Sequence, residues 1–177
     1  AEKLANIFLE IIIAPSFSEE AFAILTKKKN IRLMVLDVTL QPSAKRKITH
    51  VNDGLLVQDM DDHQLDVKAL TCVTKRQPSA EEMEQLLFAW KVVKHVKSNA
   101  IVLVKDHMTI GVGAGQMNRV GAAKIAIEQA QEKAEGSVMG SDAFFPMSDT
   151  VEAAAAAGVT AIIQPGGSIK DQLSVDE

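Results

Sequence analysis

The amino-acid sequence predicts an α/β protein, and two observations support this fold class. The chain opens with a β-branched apolar run at residues 8–13, a helical stretch at 20–29 and another apolar run at 31–38. Strand, helix and strand in this order favour a parallel crossover. Near the other end, an alanine-rich helical stretch precedes a further buried-strand pattern at residues 160–164. We predict a single domain, because 177 residues is a usual length for one.

The composition excludes several classes of protein. An apolar fraction of 47% is enough for a buried core. Nineteen basic and 23 acidic residues give a net charge of −4, and the basic runs at residues 27–29 and 45–47 are only three residues long, which argues against a nucleic-acid partner. Cys72 is the single cysteine, so no disulfide framework is expected. No apolar run approaches the roughly 20 residues of a membrane span. We expect a cytoplasmic protein without a membrane partner.

Both ends of the chain predict a fragment. The sequence does not begin with methionine, and a helical pattern starts at once over residues 2–8. Residues 172–177 resemble the opening of another helix. We therefore expect a piece of a longer protein.

Local signals predict the elements of the first half. Ser16 and Glu19 have the spacing of a capping box before the first long helix. Short alternating segments then predict a small antiparallel extension, at residues 47–51, 54–58 and 69–75. Ser79 and Glu82 form a second capping-box pattern. The helix that follows has an apolar face with helical spacing, formed by Met83, Leu86, Leu87, Trp90 and Val93.

The most informative stretch runs from Ser98 to Arg119. Apolar runs at residues 100–104 and 109–112 flank a polar turn, which predicts a hairpin. Three glycines at alternate positions follow, from Gly111 to Gly115. Such glycines let the backbone approach a ligand closely and leave amide hydrogens free to face it. The alternative is an ordinary tight turn.

Arg119 breaks a local rule beside these glycines. A helical stretch starts near Asn118 and ends at Gly136, so Arg119 lies in a first turn, where a cation opposes the helix dipole. We therefore predict an anion site here. The glycine spacing matches neither the dinucleotide-binding fingerprint nor a P-loop.

A second glycine turn follows the apolar run at residues 160–164. Residues 165–168 read Pro-Gly-Gly-Ser at the carboxyl end of that strand, where ligands of open α/β sheets collect. Ser168 then belongs either to an amide nest or to a plain turn. The four histidines and the lone cysteine lack the spacings of a zinc site, so zinc chemistry is not expected.

Several polar and aromatic residues allow two interpretations each. Glu10, within an apolar run, either faces solvent at a sheet edge or accepts hydrogen bonds from a ligand. Asn99 is either a helix C-cap or a site residue. Asp149 is either an N-cap or a site residue, and Phe144 and Phe145 are ordinarily core. The residues alone do not name a reaction.

Four strings in this order, SNAIVLVKD, IGVGAGQMNRV, SDAFFPMSD and GVTAIIQPGGS, resemble the bifunctional purine-biosynthesis enzymes that carry AICAR transformylase and IMP cyclohydrolase. FLEIIIAPSFSEEA and ILTKKKN resemble the bacterial members. The resemblance implies the second unit of the transformylase domain, an α/β/α sandwich of the cytidine deaminase type with a mixed sheet and no zinc. The cyclohydrolase domain and the first transformylase unit would be absent from this chain.

The resemblance also implies a reaction and its partners. The family's transformylase is a homodimer that transfers a formyl group from the cosubstrate 10-formyltetrahydrofolate to AICAR. The residues that match AICAR contacts are Glu10, Asn99, Arg119 and Phe144, with Asn99 also catalytic. The residues that match folate contacts are Val120, Asp149, Ser168 and Ile169. Ser98 and Asp142 match a potassium site.

Two departures from the family pattern limit the prediction. Lys94 and His95 lack the proline-glycine turn that follows the family's lysine–histidine pair, and the family's R-H-F segment would lie beyond Glu177. We therefore expect the isolated chain to be inactive. Two alternatives remain open: a non-catalytic module that binds nucleotide or folate, and a degenerate dinucleotide-binding dehydrogenase domain that rests only on the glycines at 111–115.

Overall fold

The structure is a computed structural model that describes residues 1–37, 39 and 46–177. The sequence predicted one domain, whereas the chain divides into two compact units, Ala1–Leu65 and Asp66–Glu177. The last residue of the strand predicted at 31–38, Val38, lies outside the described residues. None of the helices formed by the described residues is both long and apolar enough to span a bilayer.

The first unit holds two small sheets. Its elements are α1 (Glu2–Ala5), β1 (Ile11–Ala14), α2 (Glu19–Leu25), β2 (Arg32–Val35), β3 (Arg46–Val51) and β4 (Gly54–Asp59). Strands β1 and β2 pair in parallel, which confirms the predicted crossover. Strands β3 and β4 form the predicted antiparallel extension.

Three predictions for the first unit were wrong in detail. Helix α2 is capped by Ser18, whose side chain accepts a hydrogen bond from the Ala21 amide, and not by Ser16. The helix also ends before the three lysines. Strand β1 was predicted to be buried, yet Ile11 and Ile13 are about half exposed.

The second unit is built on one sheet. Its elements are α3 (Ala80–Val93), β5 (Ile101–Lys105), β6 (Met108–Gly113), α4 (Arg119–Ala130), β7 (Val138–Ser141), α5 (Asp149–Ala156), β8 (Ala161–Ile163) and α6 (Asp171–Asp176), with short 3-10 helices at Val67–Ala69 and Gln131–Ala134. The strand predicted at 69–75 is absent: Ala69 ends the first 3-10 helix, and residues 70–75 form irregular chain.

The sheet of the second unit is mixed, as predicted. Its strand order is β6-β5-β7-β8. Strand β5 is antiparallel to both of its neighbours, and β7 and β8 are parallel. The predicted hairpin joins β5 and β6 through Asp106 and His107, both with positive φ. Two such residues form the turn type that matches the twist of a hairpin.

Helices cover both faces of this sheet, which gives three layers. Helix α3 packs on one face, where Ala89 lies against Gly140. Helix α4 packs on the other face, where Ala126 and Ala122 lie against Gly111 and Gly113. The largest core cluster fills this second side, between β5, β7, α4 and α5. Because the glycines of β6 have no side chain, α4 can pack directly against this strand.

A capping box fixes the start of α3. Ser79 accepts a hydrogen bond from the Glu82 amide, and the Glu82 carboxylate accepts one from the Ser79 amide. Arg76 adds a two-pronged contact, with nitrogen–oxygen distances of 2.9 and 2.8 Å to Glu82, and donates to the Thr160 carbonyl. The hydrogen bond from Arg76, together with that from Ser79, outweighs the effect of burial and lowers the pKa of Glu82 to about 2.

The close approach of α4 to β6 predicts that Gly111→Ala is strongly destabilising. A Cβ atom at this position would overlap the carbonyl oxygen of Ala126. We expect a loss of about 3 kcal/mol in the free energy of unfolding, because backbone atoms cannot move aside as a side chain can. Urea unfolding measures this loss. Gly54→Ala is the control, since its nearest atom would be 3.6 Å away; equal effects of the two variants would contradict the packing argument.

The depressed pKa of Glu82 predicts an acid-sensitive helix start. A carboxylate with a lowered pKa stabilises the fold fully above its ordinary value of 4.5, and this contribution is lost as the pH falls toward about 2. We expect the Tm of the wild type to exceed that of Glu82→Gln at pH 7, with the gap closing below pH 4.5. Glu81→Gln, at an exposed acid of the same turn, is the control. A gap that persists unchanged at pH 2 would refute this assignment.

Candidate functional site

The start of β5 and the ends of β6, β7 and β8 lie at one edge of the sheet in the second unit. Ile101, the first residue of β5, pairs with Gly113 at the end of β6 and with Ser141 at the end of β7. The end of β8, Ile163, lies beside Gly140. Adjacent strands are about 4.8 Å apart, so β6 and β8 are separated by about 14 Å along this edge. Both glycine turns therefore lie at the same edge of the sheet.

Arg119 is the centre of a buried polar network at this edge. Asn118 caps α4, and Arg119 follows as the first helical residue, with 7% of its side chain exposed. Its Nη1 donates to Ser141 Oγ at 3.1 Å and to Asp142 Oδ1 at 2.5 Å. Its Nη2 donates to Asn99 Oδ1 at 2.9 Å. The prediction of an anion site treated Arg119 as an unpaired cation, whereas Asp142 already balances its charge.

Asn99 has a fixed amide orientation. Its Oδ1 accepts from Arg119, and its Nδ2 donates to the Gln116 carbonyl at 2.8 Å. An amide nitrogen carries two hydrogens, and only this one is bonded within the described part of the chain. The C-cap interpretation was wrong, since α3 ends at Val93 with Lys94 as its C-cap. The Ser98–Asn99 peptide bond is cis.

Asp142 ties Arg119 to the start of β5. Its Oδ1 also accepts from the Ala100 amide at 2.9 Å. Burial raises the pKa of Asp142, but hydrogen bonds from Ser98, Arg119 and the Ala100 amide outweigh it, so the net shift is downward. The carboxylate is therefore ionised at neutral pH. Among the residues described, no group of three or more His, Cys, Asp or Glu side chains could hold a metal ion; the potassium site at Ser98 and Asp142 stays a prediction.

The first glycine turn does not present three free amides, contrary to expectation. Gly111 and Gly113 belong to β6 and pack against α4. Gly115 has a φ of 64°, and its amide donates to the Lys97 carbonyl at 2.7 Å. This turn serves packing and chain reversal.

The amides of the second glycine turn bond to the chain's own side chains. Gly166 and Gly167 have φ values of 70° and 99°. Their amides donate to Gln164 Oε1 at 2.7 Å and to Asp171 Oδ2 at 2.8 Å. Ile169 is fully exposed beyond the turn.

The other predicted site residues of the second unit are partly or fully accessible. Phe144 is 41% exposed, whereas Phe145 is 2% exposed and belongs to the core. Asp149 is exposed as the first residue of α5, where Ser148 occupies the N-cap position instead. Val120 is half-buried in α4.

Glu10 lies in the first unit, just before β1, and is exposed. It was predicted inside an apolar strand, whereas β1 begins one residue later at Ile11, and its contact with AICAR stays a prediction. Sequence reasoning missed the partners Ser141, Gln164 and Asp171. Each becomes significant only through contacts at the ends of strands, which no local pattern reveals.

Comparison with known proteins gives consistent matches over the chain. A family described as "AICARFT/IMPCHase bienzyme" matches residues 1–129. The bifunctional purine biosynthesis protein PurH of Bacillus subtilis is 66% identical over 175 residues, which cover 99% of this chain and 34% of the relative. The PurH protein of Anoxybacillus flavithermus is 64% identical over 177 residues, or 100% of this chain and 35% of the relative. The chain thus spans about a third of the length of these relatives.

The pairing of Arg119 with Asp142 predicts strong energetic coupling. Asp142→Asn leaves a buried guanidinium without its counter-charge, and we expect a loss of about 3 kcal/mol in unfolding free energy. Arg119→Gln likewise leaves the Asp142 carboxylate without its counter-charge. The loss of unfolding free energy in the double variant should be about 1–3 kcal/mol smaller than the sum of the losses in the two single variants. Urea unfolding measures all three losses. Additive losses would show that the two charges are not paired in solution.

Proposed function

Because the chain belongs to the AICARFT/IMPCHase bienzyme family, we propose that it supplies part of the formyltransferase site of a bifunctional purine-biosynthesis enzyme. The proposed reaction transfers the formyl group of 10-formyltetrahydrofolate to the 5-amino group of AICAR. One observation carries the proposal: the Asn99 network and the second glycine turn adjoin β5 and β8 at the same sheet edge, and these strands are two positions, or about 10 Å, apart. That span suits two substrates held side by side.

The proposed chemistry needs positioning and charge stabilisation. An aryl amine is a weak nucleophile, so it must be held against the formyl carbon. Its attack gives a tetrahedral intermediate with negative charge on the former carbonyl oxygen. A hydrogen-bond donor fixed beside that oxygen stabilises the charge without reorganising during the reaction.

Asn99 is the donor we assign to this role. Arg119 holds its oxygen and the Gln116 carbonyl takes one amide hydrogen, which leaves one hydrogen for the substrate. The Asn99 amide cannot flip without breaking the bond to Arg119, because its NH₂ group would then face the guanidinium. The network thus presents a single, oriented neutral donor.

Arg119 has a second proposed role toward AICAR. Three of the five guanidinium N–H groups bond to Asn99, Ser141 and Asp142. The other two have no hydrogen-bond partner among the described residues, and we assign them to the nucleotide; Phe144 offers a half-exposed ring for stacking on its base. Arg119 acts here as a directional donor, since Asp142 balances its charge.

The cosubstrate would contact residues on either side of the network. Val120 follows Arg119 in α4, and Asp149 is exposed at the start of α5. Ser168 and Ile169, at the second glycine turn, would also contact the cosubstrate. The exposed apolar side chain of Ile169 suits the ring system of a folate.

The finer assignments form part of the same proposal. The three-layer second unit would be the second cytidine deaminase-like unit of the transformylase domain, working in a cytoplasmic homodimer. The cyclohydrolase domain, the first transformylase unit and the proton-handling lysine–histidine pair would lie elsewhere in the parent protein.

The proposal predicts that Asn99→Ala in the parent protein lowers kcat for formyl transfer by about 100-fold. Removing the amide deletes the donor to the developing oxyanion while the Arg119–Asp142 pair remains. Spectrophotometric assay of tetrahydrofolate release measures kcat, and circular dichroism checks the fold.

Gln58→Ala, which removes an exposed amide from β4, is the matched control and should leave kcat unchanged. Normal turnover in Asn99→Ala would remove Asn99 from the mechanism. A wild-type parent protein that binds AICAR or folate without any turnover would favour the non-catalytic module.

A further inference from the structure

Asp171 lies outside the second glycine turn and bonds to two consecutive residues of it, Gly167 and Ser168. Its Oδ2 accepts from the Gly167 amide at 2.8 Å, and its own amide donates to the Ser168 carbonyl at 3.2 Å. No family resemblance or comparison assigns it a role. We propose that Asp171 is a positioning residue that holds the turn in the conformation that binds 10-formyltetrahydrofolate; this inference rests on the proposed function.

Packing alone does not hold this turn. A Cβ atom at Gly167 would meet nothing within 4 Å, and the nearest atom to one at Gly166 would be Asp171 Oδ2 at 3.7 Å. Ile169 is fully exposed as well. Glycines with positive φ have many alternative conformations. The turn therefore depends on the hydrogen bonds from its two amides.

Two side chains supply the acceptors for those amides. Gln164 bonds to Gly166 from the strand side, and Asp171 bonds to Gly167 from the α6 side. Together they accept the hydrogen bonds of the two turn amides. Loss of either acceptor frees one amide and lets the segment carrying Ser168 and Ile169 sample other conformations.

Only one of the two carboxylate oxygens of Asp171 is hydrogen-bonded, so asparagine can replace aspartate at this position. Oδ1 is buried and has no hydrogen-bond partner among the described residues. Replacing this oxygen by the NH₂ group of asparagine therefore breaks no hydrogen bond. Asparagine keeps an acceptor for Gly167 and removes the charge, so it should preserve the turn, whereas alanine should not.

The test uses the parent protein. We expect Asp171→Ala to raise KM for 10-formyltetrahydrofolate about tenfold, the cost of a lost hydrogen bond that orders a binding wall. KM for AICAR and kcat should stay within about twofold. Asp171→Asn should restore KM to near the wild-type value. Gln164→Ala should raise KM in the same direction, which keeps the test valid if Asp171→Ala fails to fold.

Asp176→Ala is the matched control, because this acid lies on the same helix and bonds to Gln172 instead. Hydrogen exchange of the peptide spanning residues 164–170 gives a readout independent of activity, and exchange should quicken in Asp171→Ala only. Equal KM values for Asp171→Ala and Asp176→Ala, or unchanged exchange, would overturn the inference. A wild-type parent without formyl transfer would refute the proposed function instead. The exchange result would still decide whether Asp171 holds the turn.

Discussion

The buried ion pair between Arg119 and Asp142 organises the functional edge of the second unit. Arg119 comes from the first turn of α4 and Asp142 from the end of β7, and both also bond to the segment that enters β5. Buried charges are costly unless a counter-charge and further hydrogen bonds offset that cost. Each partner therefore confines the other, and three elements distant in sequence meet at one point.

This meeting depends on small residues in the sheet and its helices. Gly111 and Gly113 let α4 lie directly on β6, against the backbone of Ala126 and Ala122. Any larger side chain at either glycine would push α4 away and withdraw Arg119 from Asp142. The packing of α4 on β6 therefore also determines where the polar network lies.

Local signals predicted much of this architecture, and nonlocal contacts limited the rest. The Ser79–Glu82 capping box and the hairpin at β5 and β6 follow from short-range chemistry, so both were predicted correctly. The sequence does not distinguish a glycine that lets a helix pack closely from one that lets a ligand approach. Gly111 was therefore predicted to face a ligand, although it packs against α4. Asn99 bonds to residues 17 and 20 positions later, so its role requires the strand register.

The occupied guanidinium of Arg119 has a consequence for molecules designed to bind at this edge. An acidic inhibitor would find the charge of Arg119 already balanced and would face the carboxylate of Asp142. A neutral carbonyl, as in an amide or a urea, matches the single hydrogen left on Asn99. Binding of such a carbonyl to Asn99 would then vary little with ionic strength, since screening acts on charges and not on a hydrogen bond between neutral groups.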